Sequence, residues 1–177
     1  MKALKVFFIT IMIGYIAWNV YQGYTGDKES EYNILVTECK MEKYPVDILG
    51  VIDRFNRLKL YMYSEESTIS EIRELANWQK KMYHSELLEK NKNYNEIIKN
   101  IVKEKKNLID KNIKLLKIEV VNGSLEYDPN NPNVGYIKVK EQTSKEFENI
   151  ILYVMVKEND KWKIIGFKNE RKIESGS

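Results

Sequence analysis

The stretch from Met1 to Thr25 constrains this chain more than any other. Lys2 and Lys5 precede an apolar run from Val6 to Val20, broken only by Thr10, Gly14 and Asn19, and Trp18, Tyr21 and Tyr24 close it. A bilayer's hydrocarbon core takes roughly 20 largely apolar helical residues, with about 17 as the minimum. Ala3 to Tyr21 meets that length when Lys5 snorkels back to the headgroups. Cations before the span hold that end in the cytoplasm, and aromatics after it mark the far interface. The small-residue cleavage pattern of a signal peptide is absent, because Ala17 is followed by Trp18 and Val20 to Tyr24 is bulky. The expectation is a retained signal-anchor transmembrane helix over 1–25 and a linker over 26–31. A folded domain over 32–172 then lies outside the cytoplasm, with a tail over 173–177. The lipid bilayer is the first partner this implies.

What remains is enough chain, about 150 residues, for one domain with a single core. Removing Lys2 and Lys5 from the 29 basic residues leaves 27 against 26 acidic ones. A domain so near neutrality lacks the basic excess of a nucleic-acid binder, so no nucleic-acid partner is expected. The single cysteine, Cys39, excludes an internal disulfide framework. The outer domain must be held by its core.

The rest of the chain reads as helices followed by strands. Tyr32 to Tyr44 reads as a short helix, and Pro45 suits the first position of the next. Ile48, Val51, Ile52, Phe55, Leu58 and Met62 then recur at helical spacing and define a buried face. Thr68 and Glu71 form a capping box, and the helix they open buries Ile72, Leu75, Ala76 and Gln79. Leu87 and Leu88 sit on a short continuation. Asn93 and Glu96 suggest a second box, before an apolar stripe through Ile97, Ile98, Ile101, Val102 and Leu108.

After Asn112 the period changes to two. Leu116, Ile118 and Val120 alternate as a half-buried strand. Asn122-Gly123 is a hairpin-type turn signal, and Asp128 to Asn133, with two prolines, reads as a loop. Strands are expected over Val134 to Thr143, Phe147 to Lys157 and Lys161 to Lys168, with Asn159-Asp160 as the last tight turn. Helices first and a meander after is α+β grammar, with helices on one face of an antiparallel sheet. About three helices packed on a curved four-stranded sheet is the expected fold.

The closing pattern Asn159-Asp160-Lys161-Trp162-Lys163-Ile164-Ile165-Gly166-Phe167 resembles the last strand of the NTF2-like (cystatin-like cone) superfamily: a turn, a tryptophan, then alternating apolar residues and a glycine. Within it, Glu42-Lys43-Tyr44-Pro45, Phe55-Asn56-Arg57 and Leu87-Leu88-Glu89-Lys90-Asn91 resemble an uncharacterised bacterial family of short single-pass membrane-anchored domains. The likeness covers roughly 32 to 170, and its motifs are structural. It implies a cone-shaped fold and no particular activity. The architecture also resembles the anchored NTF2-like components of type IV secretion channels (VirB8-like), without a motif specific to them. Some NTF2-like cones are ketosteroid-isomerase-like enzymes, with an aspartate or histidine deep in the pocket as base and a tyrosine as donor.

Candidates for such chemistry are few. His84 is the only histidine and reads as a helix-terminal residue favourable to the dipole, lacking an identifiable catalytic partner. Asp47 falls in a first helical turn, and Asp53 and Asp110 lie beside buried stripes; none falls inside one, where desolvation would raise its pKa. His84 and Asp53 are the weak pocket candidates. Cys39 reads as a partly buried free thiol. Lys103-Glu104-Lys105-Lys106 reads as a solvated helix face. No motif for a nucleophile, a phosphate loop or a metal is present, so no cofactor and no metal are expected. The expected role is a non-catalytic binding or assembly module, with a protein partner or a second copy meeting the sheet. The alternatives are a small-molecule pocket protein and a secretion-channel component.

Overall fold

Asp47 opens the helix that organises the fold: its extended backbone and its carboxylate, which accepts from Gly50 N at 2.7 Å, cap the first turn. Pro45 therefore lies just before the helix and not at its first position. In this computed structural model the described residues are 30–174 without Lys92 and Glu146, and for 171–174 the backbone alone is described. The helices are α1 (Glu31–Met41), α2 (Ile48–Met62), α3 (Ile69–Lys80), α4 (Ser85–Lys90) and α5 (Tyr94–Asp110). The strands are β1 (Leu115–Val120), β2 (Glu126–Asp128), β3 (Asn131–Thr143), β4 (Phe147–Glu158) and β5 (Lys161–Glu174).

From Leu35 onward the chain forms one compact unit. Its sheet is antiparallel in the order β1-β3-β4-β5, with β2 pairing β3 beside β1. The hydrophobic stripe of α2 is buried as its spacing predicts, and Ile48, Val51, Ile52, Leu58 and Met62 are fully enclosed. Each such side chain is worth roughly 1.5–3 kcal/mol relative to exposure. Against them stand Ile137 and Val139 of β3, Tyr153 and Met155 of β4, and Ile164 of β5. Gly135 sits where a Cβ would run into the terminal methyl of Ile48, so its missing side chain leaves that methyl room against β3.

The capping box at Thr68 forms in both directions, Thr68 N donating to Glu71 Oε2 at 2.7 Å and Glu71 N to Thr68 Oγ1 at 3.3 Å. The second expected box does not form: Asn93 stands at the N-cap of α5 but its side chain accepts no capping bond. Asn159 and Asp160 both take positive φ, at 50° and 60°, the pattern of the tight hairpin turn.

The expected fold is corrected in its counts and in its membrane element. Among the described residues there are five helices and five strands, not three and four. The added strand, β2, arises because Asp128 Oδ1 accepts from Asn130 N and Asn131 N at 2.8 and 3.2 Å, folding the proline-containing stretch into a tight turn between two strands. No described helix is long and apolar enough to cross a membrane. The segment 1–25 with Lys2, Lys5, Trp18 and Tyr21 lies outside the described residues.

The last strand departs from regular geometry. In a regular strand Trp162 and Phe167 would point to opposite faces. A bulge intervenes: Met155 pairs with Ile164 and Val154 with Gly166, leaving Ile165 as the extra residue. The parity flips, and Phe167 joins Trp162 and Ile164 on the helix side, opposite Tyr153. A second bulge, between Ile150 and Ile151, follows.

Candidate functional site

Strand parity and the bulges of β5 leave space between α2, α5 and the sheet. The cavity holds about 440 Å³. Its apolar wall is Phe55, Met62, Ile101, Ile151, Tyr153 and Phe167. Phe55 meets Tyr83 and Tyr153 edge-on, with ring centres 5.7 and 5.8 Å apart, so the aromatic wall is fixed by quadrupole-favoured contacts.

Into this wall project groups that a filled core would not carry. Glu141 follows Ile137 and Val139 on the inward parity of β3, and Lys59 lies one turn beyond Phe55 on α2. The two form an ion pair with side chains only 12% and 21% exposed. Glu104 of α5 accepts from the Tyr63 hydroxyl. Asn149, the cross-strand partner of Glu141, has a buried Oδ1 without a hydrogen-bond partner among the described residues. Tyr153 is 3% exposed, and its hydroxyl has no hydrogen-bond partner among the described residues. Burial pushes the Tyr83 phenol up to about 12 and Tyr153 higher still. Tyr63 rises through burial first and its bond to Glu104 second. All three are neutral phenols at physiological pH, with protons to donate.

Neither residue singled out from the sequence is in the cavity. Asp53 is exposed on the outer side of α2. His84 stands at a helix end as expected, but at the opposite kind of end: it caps the N-terminus of α4, its Nδ1 accepting from Glu86 N at 3.2 Å. Its Nε2 lies 3.6 Å from Glu158 Oε1. His84 N also donates to Ile164 O, and Ile164 N to Met82 O, so the loop before α4 covers the edge of β5. Cys39 is buried, and burial pushes its thiol up and away from reactivity. Of the charged run on α5, Glu104 reaches the cavity and Lys105 is buried, its Nζ donating to Ser67 O and Oγ. Among the described residues no group of three or more His, Cys, Asp or Glu side chains is placed to hold a metal ion.

The chain belongs to the DUF6715 family. The family profile, described as a domain of unknown function (DUF6715), matches residues 1–167. No curated protein and no solved structure matches the chain significantly.

Glu158 gives this corner of the DUF6715 fold a pH dependence. Hydrogen bonding from Ser85, aided by His84 and Lys163, holds its carboxyl below the ordinary carboxylate value. A carboxyl depressed in the folded state contributes stability that is present above its unfolded pKa and lost as pH falls through the folded one. The wild type should therefore lose more stability on acidification below about pH 4 than Glu158→Gln does, read as the difference in melting temperature. Parallel acid profiles would remove Glu158 from that role.

Proposed function

We propose that this chain is a binding module held at the outer face of the cell membrane by its basic-then-apolar N-terminal segment. Its cavity takes a small, partly apolar ligand with hydrogen-bonding groups and does not transform it. The observation that carries the reading is a cavity of about 440 Å³ whose aromatic wall includes Tyr153, a residue whose hydroxyl has no hydrogen-bond partner among the described residues. A ligand that hydrogen-bonds to that hydroxyl gains about 1 kcal/mol net. The volume supports the reading too, since ligand pockets run from roughly 300 to 1,000 Å³ with mostly apolar walls. So does the placement of the space between helices and the sheet, where the resemblance to NTF2-like cones puts a pocket.

Binding is favoured over catalysis because the cavity's carboxylates are occupied. A general base must be free to take a proton from its substrate. Glu141 is matched by Lys59, and Glu104 by the Tyr63 hydroxyl.

The test uses N-phenyl-1-naphthylamine, a neutral fluorophore with an apolar body and one N–H donor. Titrated into the full chain in nanodiscs, it should brighten more with wild type than with Ile101→Trp, which fills the cavity. Tyr153→Phe should weaken its binding roughly 3- to 10-fold, the worth of one net hydrogen bond of about 1 kcal/mol. Lipid background is common to all three and cancels. Equal brightening by wild type and a folded Ile101→Trp would end the proposal.

A further inference from the structure

A second concavity, of about 610 Å³, lies between α3 and α5. Its apolar part is Ile98, which is buried, Val102, which is half-buried, and Ile69, which is 58% exposed at the start of α3. Around these stand Arg73 of α3 and Lys99, Lys103 and Lys106 of α5. The three lysines follow one another at four- and three-residue spacing and so share a face of the helix. No carboxylate lines the groove. None of the four cations has an ion pair or hydrogen bond among the described residues.

The groove thus gathers four cations and no carboxylate in a domain that balances 27 basic against 26 acidic residues once Lys2 and Lys5 are set aside. Other cations of the domain do have carboxylate partners, among them Lys59 with Glu141, Arg57 with Glu38 and Lys138 with Glu170. Four unpaired cations in one place repel each other, and an external anion relieves the repulsion. Cations around exposed apolar side chains are the pattern of surfaces that lie in a lipid interface, charges at the headgroups and aliphatic groups at the acyl boundary.

We propose that the α3–α5 groove docks on the anionic phospholipid headgroups of the bilayer, with Ile69 entering the acyl boundary. This rests on the membrane placement proposed above. The chain outside the described residues selects lipid over an acidic protein segment. It begins with the basic-then-apolar stretch Lys2 to Tyr24 and leaves only a short polar connection before α1. A short tether turns docking on that lipid into an intramolecular event at high effective concentration. Each cation near an anionic surface then adds to the attraction, and salt screens it.

The test labels Asn95→Cys, an uncharged groove position, with bimane in the full chain. Cys39 is buried, so unsubstituted protein serves as the labelling control. The protein is reconstituted with phosphatidylglycerol or with phosphatidylcholine. Bimane emission should shift to the blue in phosphatidylglycerol and not in phosphatidylcholine. The shift should vanish at high salt and in Arg73→Glu/Lys99→Glu/Lys106→Glu, whose exposed positions leave the fold intact by circular dichroism. Equal emission in both lipids overturns the proposal. So does a shift that appears with polyglutamate but not with phosphatidylglycerol, which would assign the groove to an acidic protein segment. Flotation of the same samples separates the two readings: protein that floats with neither lipid refutes the membrane placement itself, while protein that floats with an unresponsive label refutes only the groove.

Discussion

Trp162→Ala should destabilise the folded unit by about 3–5 kcal/mol, the range for truncating a large buried aromatic. Trp162 is 5% exposed although it begins an edge strand. Its ring centre lies 5.9 Å from that of Tyr127 on β2, and the Lys157 ammonium stands 5.4 Å above it. Its carbonyl accepts from the Tyr44 hydroxyl at 2.6 Å, which ties the segment before α2 to β5. Removing the indole leaves a void where the α1–α2 connection, β2 and β5 meet, and three separate segments would have to move to fill it. Phe167→Ala, five residues on and 59% exposed, should cost well under half as much while opening the cavity. Urea unfolding followed by far-ultraviolet circular dichroism measures both. An unchanged midpoint for Trp162→Ala would remove the indole from the core.

These two aromatics also show where sequence reading succeeds and where it stops. The α2 stripe, the Thr68 capping box and the Asn159-Asp160 turn follow from local rules: helical period, reciprocal bonding of orphan amides, and a turn that needs positive φ. Such rules act over a few residues and survive folding. Phe167 obeys strand parity only until the bulge at Ile165, and a bulge is settled by pairing with β4 and not by the residues of β5 alone. β2 has three residues, too few for any period to show. Asn93 had the right side chain for a cap, yet the backbone at φ −95°, ψ 81° does not turn it onto the helix end.

The cavity was hidden for a different reason. Its polar members come from α2, α3, α5, β3, β4 and β5, and none belongs to a local motif. One signal was present: Glu141 continues the inward parity of Ile137 and Val139, and Lys59 stands a turn from Phe55 on the buried stripe. An acid and a base that each violate a buried pattern, on elements destined to pack, mark a polar interior. His84 drew attention for its residue type, while its place was set by the short helix it caps.

Lys59→Met is expected to cost about 2–3 kcal/mol, short of the roughly 3–5 kcal/mol for a fully buried pair because both side chains keep some contact with water. The loss comes mainly from leaving the Glu141 carboxylate at 12% exposure with no countercharge, and only secondarily from the contact itself. The Lys59 ammonium also lies 5.8 Å from the Tyr63 ring, a weak cation–π contact that methionine gives up. Glu141→Leu in the same chain should therefore restore most of the loss, since an apolar pair of similar volume needs no desolvation. Stability and binding should then separate. The repaired double variant, close to wild type in stability, should bind N-phenyl-1-naphthylamine at least as well, because its cavity is larger in apolar surface and still holds the Tyr153 hydroxyl. A polar ligand that bridges Lys59 and Glu141 should lose affinity for it. If the double variant remains as unstable as Lys59→Met, the ion pair is not what balances this interior, and the account of the cavity as a site whose charges are already matched is wrong.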